Sequence, residues 1–400
     1  MTPLGRLRAA MKACRAEKFE LDGLTESAPK QILEWVARRM PAWAGKGKEA
    51  TRARVVLSEL EAAAKTCAYP KETQAMTSRA IPLPGGRTLF ATPVFDTYWR
   101  FARERQEIFM MRVRGNPPPW TNDPILASHR FTNAYRASDR VSQYLIRHVQ
   151  HTGDQYPPEV FFRTLLFKLF NKIETWETIV GEFGQHPRWC SDVDPFARML
   201  AILDRMFAAK HAIYSGAYIM PSPDCGEARK HENHLLLLKR MMKDGVHRKV
   251  NTAKSLREVY ALLRAVPSFG DFLAFQFAID LNYSDVVNFS ENDLVVAGPG
   301  AQSGIKKCFS GVGGLSDADV IRAVTDMQEA EFDRLGLAFQ TLFGRRLHPI
   351  DCQNLFCEVD KYARVAHPEA GGARTKIKQK FTPSEKPVPQ WYPPKWGLRP

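Results

Sequence analysis

The 400-residue sequence lacks the long apolar runs of a membrane protein and the leader of a secreted one. Apolar stretches such as Leu235–Leu238 are broken within a few residues by polar side chains, whereas a membrane-spanning helix needs about 20 consecutive apolar residues. The segment Met1–Lys18 mixes basic and small apolar side chains and has no apolar stretch of a secretory signal. We therefore expect a protein of the cytoplasm with no membrane partner.

Paired cysteines and a nucleotide-binding loop are also missing. Seven cysteines are scattered along the chain without a CxxC pair, which excludes a disulfide framework and a zinc ribbon and indicates reduced thiols. The pattern GxxxxGK(S/T) occurs nowhere, which argues against an intrinsic P-loop kinase. Cys225, His231 and His234 are residue types that bind metals, but further ligands are not evident and Lys230 crowds them. We expect no metal site there.

Positive charge is what the chain has in excess. Its 57 Lys and Arg residues against 43 Asp and Glu give a formal net charge of +14. Because each neutralised phosphate releases counterions, this surplus favours a polyanionic partner, with nucleic acid first among them. A basic protein without such a ligand is the alternative. The 44% of hydrophobic residues is enough for one large core or two modest ones, which excludes disorder of the whole chain.

Helical periodicity dominates the body of the chain, where apolar residues recur at i, i+3, i+4 and i+7. The predicted fold class is therefore mainly α. Residues 1–80 are interpreted as an accessory N-terminal helical region, and the turn-forming stretch Ile81–Thr88 separates it from a helical domain over residues 81–365. Within this domain, Pro157–Glu182 is predicted to form one helix with a continuous apolar face and a separate polar face.

Lysine, proline and glycine dominate residues 366–400, which form a basic Pro-rich tail. A segment of this composition buries too little apolar surface to order itself, and we expect it to bind phosphates or to cross another surface. Its aromatic residues Trp391, Tyr392 and Trp396 indicate that it is not wholly free.

A glycine-rich segment, Val295–Ile305, precedes a lysine-rich helix. It resembles the helix-hairpin-helix motif of DNA repair proteins, in which backbone N–H groups of a Gly-x-Gly hairpin bind a DNA phosphate. Ala297 and Gly304 depart from the usual pattern. A tight interhelical turn is the alternative. The phosphate-binding reading predicts DNA contacts from Gly298, Gly300, Ser303, Lys306 and Lys307.

Three stretches carry more polar side chains than a core requires. In the first, Asn133, Arg136 and Arg140 are predicted to share one helical face with Asp139 beside them, an arrangement that binds phosphate and orients a nucleophile. Ordinary solvated salt bridges are the alternative for any one stretch. The second stretch contains Arg163, Lys168, Asn171 and Lys172, and the third is Asp351–Arg364.

The order of these motifs resembles a known family. The motifs are Trp120-Thr-x-Asp-Pro-Ile-Leu126, Phe131-Thr-Asn-x-Tyr-Arg-x2-Asp-Arg140, Phe162-Arg-x4-Lys-x2-Asn-Lys-x2-Thr-Trp176, Gly298-Pro-Gly-Ala301 and Gln353-Asn-x2-Cys-Glu-x-Asp-Lys-Tyr-x-Arg364. Together they resemble the α-glutamyl/putrescinyl thymine pyrophosphorylases of phages, also known as amino acid:DNA transferases. The helical domain of that group is similar to that of 5-hydroxymethyluracil DNA kinases.

This resemblance implies an enzyme of thymine hypermodification that acts on double-stranded phage DNA in the cytoplasm of a host bacterium. Such an enzyme displaces pyrophosphate from 5-pyrophosphoryloxymethyluracil with an amino acid or an amine. It also implies a helical fold similar to helix-hairpin-helix DNA glycosylases. Enclosing the reacting carbon and excluding water favours a nucleotide flipped out of the stack into a pocket with aromatic walls.

The chemistry then assigns roles to the candidate residues. Asp139 is the expected general base for the attacking amine, with Glu358 as the second choice. Arg136 and Arg140 are expected to stabilise the charge that develops on the departing pyrophosphate, with or without Mg²⁺. The remaining phosphate- and substrate-binding candidates are Asn133, Arg163, Lys168, Asn171, Lys172, Gln353, Asn354, Lys361 and Arg364. Two rival functions are a base-flipping DNA glycosylase and a noncatalytic DNA-binding subunit of a modification system.

Overall fold

Fourteen α-helices make up about half of the described part of the protein, against three short strands, which confirms the predicted mainly α fold. The computed structural model describes residues 78–400, apart from 191–192, 217–219, 373, 385 and 389, and of the earlier residues only Val36. The predicted N-terminal helical region thus lies outside the described residues. The chain divides into two units, Met1–Ala75 and Met76–Pro400.

The helices of the second unit lie between residues 93 and 366. They are α1 (Pro93–Val113), α2 (Pro124–Ser128), α3 (Arg140–Tyr144), α4 (Pro157–Phe170), α5 (Ile173–Phe183), α6 (Pro195–Ala208), α7 (Lys230–Lys243), α8 (Val246–Thr252), α9 (Leu256–Arg264), α10 (Asp271–Leu281), α11 (Pro299–Cys308), α12 (Asp317–Asp326), α13 (Gln328–Arg334) and α14 (Pro349–Ala366). A π-helical turn, Leu145–Gln150, continues α3.

A small antiparallel sheet replaces the predicted turn before the helical domain. Strands β1 (Arg79–Leu83) and β2 (Arg87–Ala91) pair across a tight 3-10 turn, and β3 (Phe309–Gly311) pairs with the other edge of β2. Turn residues were recognised correctly, but the strands on either side were missed. Prolines in the stretch argued against a strand, yet β1 is an edge strand, where a missing N–H is tolerated.

The predicted single helix over Pro157–Glu182 is two helices. Asn171 has φ 48°, in the left-handed region, so it ends α4, and α5 begins two residues later. The predicted polar face does not face solvent, because Thr164, Lys168 and Thr175 are all buried. Other parts of the protein therefore cover α4 on all sides, and its polar side chains find partners inside the protein.

The described part of the tail packs on the body of the protein, so the expectation that it could not order itself is wrong, whereas its aromatic residues do make the contacts that they indicated. The backbone at Lys380 forms a β-bridge with His129, and Tyr392 is buried. The Arg345 guanidinium lies 3.7 Å from the Trp396 ring centroid. The aromatic residues supply the apolar contact that lysine and proline lack, and this offsets the entropy of ordering the segment.

Candidate active site

A cleft of about 800 Å³ is lined by three of the predicted site residues, Asn133, Asp139 and Arg140. Helix α1, the loop before α3, the π-helical turn and the tail all contribute to its walls. Its aromatic and imidazole side chains are Phe131, Tyr144, His129, His148 and Phe381. Its charged side chains are Arg105, Arg112, Arg130, Arg140, Arg147, Lys386, Asp139 and Glu177.

Asn133 organises the loop that leads to α3. Its backbone N–H donates to Asp139 Oδ1 over 2.8 Å, and its side-chain amide donates to the Ser138 carbonyl over 2.8 Å. Its side-chain oxygen accepts from Arg105 Nη2, also over 2.8 Å. One amide thus holds the carboxylate of Asp139 and the guanidinium of Arg105 on the same wall of the cleft.

Asp139 is partly buried, and its environment disfavours the ionised form. Burial is the largest effect and raises the pKa of the Asp139 carboxyl to about 7. The hydrogen bond from Asn133 and the charge of Arg105 oppose this shift, while the carboxylate of Glu358 adds to it. A carboxyl group with a pKa of about 7 accepts a proton near neutral pH far more effectively than an ordinary aspartate.

Glu358, the second carboxylate proposed as a base, lies behind the same loop. Its Oε2 accepts from the backbone N–H of Thr132 over 3.1 Å and pairs with Lys361 Nζ at 2.7 Å. Lys361 also lies 4.5 Å from the centroid of the Phe131 ring. Both partners of Glu358 hold it in place, so the geometry favours a supporting role for this residue and leaves Asp139 facing the cleft.

Arg105 and Arg112 are site residues that the sequence reasoning missed. They lie seven residues apart on α1, which brings both onto one face of the helix and into the cleft. Burial lowers the pKa of Arg105 to about 10, and the nearby Asp139 partly opposes this shift. The i, i+7 spacing of the two arginines was the available signal, but α1 carries no motif that would single them out.

The predicted convergence of Arg136 and Arg140 around Asp139 is wrong. Residues 131–135 form a loop and Arg136 begins a 3-10 turn, so no single helix face joins these side chains. Arg136 points into the interior, where Nη2 lies 2.7 Å from Asp280 Oδ1 and Nη1 donates to the Tyr283 hydroxyl over 3.1 Å. Arg140 is exposed and lines the cleft.

The comparison with known families bears on this cleft. The sequence model described as "5-hmdU DNA kinase, helical domain" matches residues 92–372. The chain belongs to this family. The match covers α1 to α14 and the loop of Asp139, so the resemblance to the helical domain of these kinases is confirmed. The tail wall of the cleft lies beyond the matched residues.

One relative is similar over much of this helical domain. A protein of Bacillus phage SP10 named 5-hmdU DNA kinase is 26% identical over 298 residues. The aligned region is 70% of this chain and 46% of the relative, so the chain spans about half the length of that protein. No solved structure matches the chain. In the present protein, no helix of the described residues is long and apolar enough to cross a membrane.

The second polar stretch of the helical domain lies outside the cleft, and its Arg163 and Lys168 side chains are buried. Lys168 Nζ lies 3.2 Å from Asp280 Oδ2 and donates to Asn171 Oδ1 over 2.8 Å. Arg163 donates to main-chain carbonyls, among them that of Gln150 over 2.8 Å. The Lys172 ammonium donates to the Ala212 carbonyl over 2.5 Å. Each of these cations therefore has an internal partner.

The third stretch and the glycine-rich segment meet where α11 packs on α14. Ser303 donates to Asp360 Oδ1 over 2.7 Å, and the same carboxylate pairs with Lys307 Nζ at 3.1 Å and with Arg364 Nη2 at 2.6 Å. These residues form one ion network. Lys306 is exposed beside it, while Gln353 is buried on α14 next to Asn354.

Close packing accounts for the glycines of α11 in the helical domain. A Cβ at Gly300 would lie 2.3 Å from Cys357 Sγ, and one at Gly304 would lie 2.1 Å from the Phe356 carbonyl oxygen. A Cβ at Gly298 would lie 2.7 Å from the Phe272 ring. The geometry therefore favours the interhelical-turn interpretation of this segment, and DNA contact by its backbone stays a prediction.

His231 and His234, which the sequence analysis considered as metal-binding residue types, hydrogen-bond to other protein groups. His234 Nδ1 lies 2.7 Å from the Tyr214 hydroxyl and its Nε2 lies 2.8 Å from the Pro221 carbonyl oxygen, while His231 Nε2 lies 2.8 Å from Asp204. Burial lowers the pKa of His234 to about 4. Within the described part of the chain, no group of three or more His, Cys, Asp or Glu side chains could hold a metal ion.

Proposed function

We propose that this protein modifies thymine-derived bases in DNA by displacing pyrophosphate from 5-pyrophosphoryloxymethyluracil with an amino acid or an amine. The observation that carries the proposal is the Asp139 carboxyl, which has a pKa of about 7 and faces a cleft rich in arginine. A transfer of this kind needs a proton acceptor for the amine and cations for the leaving anion in the same place.

The reaction balances with these groups. The amine nitrogen attacks the exocyclic methylene carbon of the base, a C–N bond forms, and the bond from that carbon to the pyrophosphate oxygen breaks. The ammonium form of the co-substrate loses one proton to solvent to become a nucleophile, and Asp139 accepts the second proton, which the alkylated nitrogen loses to give a neutral product. The electron pair of the broken bond leaves with the pyrophosphate, whose growing charge the arginines of the cleft stabilise.

The walls of the cleft suit the other parts of the substrate. Phe131, Tyr144 and Phe381 offer aromatic faces for a flipped base. Exposed Arg130 and Arg147 lie at the same cleft and can neutralise phosphates of the duplex. Double-stranded DNA with a modified thymine is therefore the proposed macromolecular partner.

The family supports a substrate of this class. The relative from Bacillus phage SP10 is named for a kinase that acts on 5-hmdU in DNA. The present sequence has no GxxxxGK(S/T) pattern, so phosphorylation is not the step that we assign to it. A transfer that uses a phosphorylated form of the same base keeps the DNA substrate and changes the reaction.

The family match also favours a second candidate, a noncatalytic DNA-binding subunit. The matched model describes a domain, and the chain spans 46% of its relative. Such a subunit would present modified DNA to a separate enzyme. It would bind the duplex through the basic cleft and would not need the perturbed carboxylate of Asp139.

A product analysis separates these functions. The protein is incubated with duplex DNA that carries 5-pyrophosphoryloxymethyluracil, a mixture of amino acids and polyamines, and the nucleosides are identified by mass spectrometry. A parallel sample contains hydroxymethyluracil DNA and ATP. We expect an aminated base and free pyrophosphate in the first sample only. An abasic site would identify a glycosylase, a phosphorylated base a kinase, and unchanged DNA that is nevertheless bound a noncatalytic subunit.

A further inference from the structure

We propose that the tail segment formed by residues 379–384, 386–388 and 390–392, here called the strap, is a fixed phosphate-binding wall of the cleft. The family match ends at residue 372, so the strap lies outside the matched residues. The ligand it would bind is a phosphate group, either of the DNA backbone or of pyrophosphate. This inference concerns binding and goes beyond the proposed transfer reaction.

The strap is fastened on one side of the cleft by backbone pairing. The Arg130 N–H donates to the Gln379 carbonyl over 3.1 Å, and the Phe381 N–H donates to the Ser128 carbonyl over 3.0 Å. These bonds flank the bridge between His129 and Lys380. The strap therefore extends the loop of cleft residues 129–131 as a short antiparallel pair.

Its other end is fastened next to Asp139. The Trp391 N–H donates to Gln143 Oε1 over 2.8 Å, and the Gln143 side chain donates in turn to the Ala137 carbonyl over 2.7 Å. The hydroxyl of buried Tyr392 lies 3.0 Å from Ser138 Oγ. Because both ends are held, the described residues between them stay along the wall of the cleft. Pro383 and Pro387 restrict the backbone of the strap further.

The middle of the strap faces the cleft with groups that bind anions. Thr382, Ser384 and Lys386 all line it. Lys386 joins five arginines there, against two carboxylates, among the described lining residues. Bringing six cations around one cavity is unfavourable unless an anion occupies it. A phosphate group satisfies the charge and accepts hydrogen bonds from the two hydroxyls.

Two variants with the same loss of charge test the assignment. Lys386→Ala removes the cleft lysine, and Lys378→Ala removes an exposed lysine of the same tail outside the cleft lining. Both purified full-length proteins are first compared with the wild type by circular dichroism and melting temperature. Affinity for a fluorescent DNA duplex is then measured between about 50 and 200 mM salt, and binding of inorganic pyrophosphate alone is measured by calorimetry.

We expect only Lys386→Ala to change these measurements. If the ligand is a backbone phosphate, the slope of log affinity against log salt becomes shallower by about 1, so that raising the salt from 50 to 200 mM costs about fourfold less affinity than in the wild type. If it is the leaving group, pyrophosphate binding weakens severalfold and the DNA slope stays. Equal effects of the two variants, or no effect of Lys386→Ala, would overturn the proposal. Neither measurement needs the transfer reaction, so a protein without transferase activity still gives a decisive answer.

Discussion

Replacing Arg136 by alanine should destabilise the protein rather than disable its chemistry. The guanidinium is 6% exposed and lies 2.7 Å from Asp280 Oδ1, and Asp280 itself is fully buried. Arg136 Nε also donates to Gln276 Oε1 over 3.0 Å, and Arg136 Nη1 donates to the Tyr283 hydroxyl. Breaking a buried ion pair by removing one partner costs about 3–5 kcal/mol, because the other charge is left without compensation.

The lower end of this range is expected here, since Lys168 stays 3.2 Å from Asp280 and offsets part of the loss. Unfolding entropy is about 2.1 cal/mol/K per residue, so for the unit Met76–Pro400 a cost of about 3 kcal/mol lowers the melting temperature by about 4 °C. Differential scanning calorimetry measures this shift directly. Transfer activity at low temperature should fall only in proportion to the folded fraction that is lost.

Arg140→Ala is the matched control. The Arg140 side chain is 74% exposed, and its guanidinium lies 3.9 Å from Glu174. The melting temperature of the variant should therefore stay within about 1 °C of the wild type. The reasoning fails if Arg136→Ala melts like the wild type. It also fails if that variant keeps its stability and loses the transfer step, because Arg136 would then act on the substrate.

Three further changes test the site and its support. Asp139→Asn should abolish transfer at every pH. The pKa of the Asp139 carboxyl is about 7 in the folded protein and 3.8 ordinarily, so the wild type loses stability as pH rises from about 4 to 7. Thermal scans across this pH range should show a smaller loss of stability in the variant. Gly304→Ala should lower the melting temperature, because its Cβ would meet the Phe356 carbonyl, and DNA titrations on the protein that stays folded should be unchanged. Truncation after residue 378 should lower the melting temperature as well as DNA affinity, because Tyr392 and its apolar contacts are lost; a tail that only binds phosphates would change affinity alone.

Much of the fold could be predicted from local sequence patterns. Helical periodicity is repeated every turn, so the mainly α class and the apolar side of α4 could be predicted without any tertiary knowledge. Breaks are harder to predict: Asn171 adopts a left-handed conformation that many asparagines do not adopt. The sheet was missed because β3 pairs with β2 across more than 200 residues.

Some residues of the candidate site could likewise be recognised from the sequence, and others could not. Its loop could be recognised because Asn133 and Asp139 belong to one short motif, and six residues of separation suffice for their hydrogen bond. Arg105 reaches the same place from α1, and nothing near it in the sequence indicates this. Arg136 belongs to the motif as well, yet the 3-10 turn sends its side chain to Asp280, 144 residues away.

What the sequence determined by itself was therefore composition, helical periodicity, net charge and a set of motifs, all of which depend on neighbouring residues. Only the tertiary structure decided which charges meet. A cation in this chain becomes part of the cleft, of the buried pair with Asp280 or of the network around Asp360 according to the packing of distant helices. Packing also decided the state of the tail, because the cavity that accepts Tyr392 exists only once the helices have assembled.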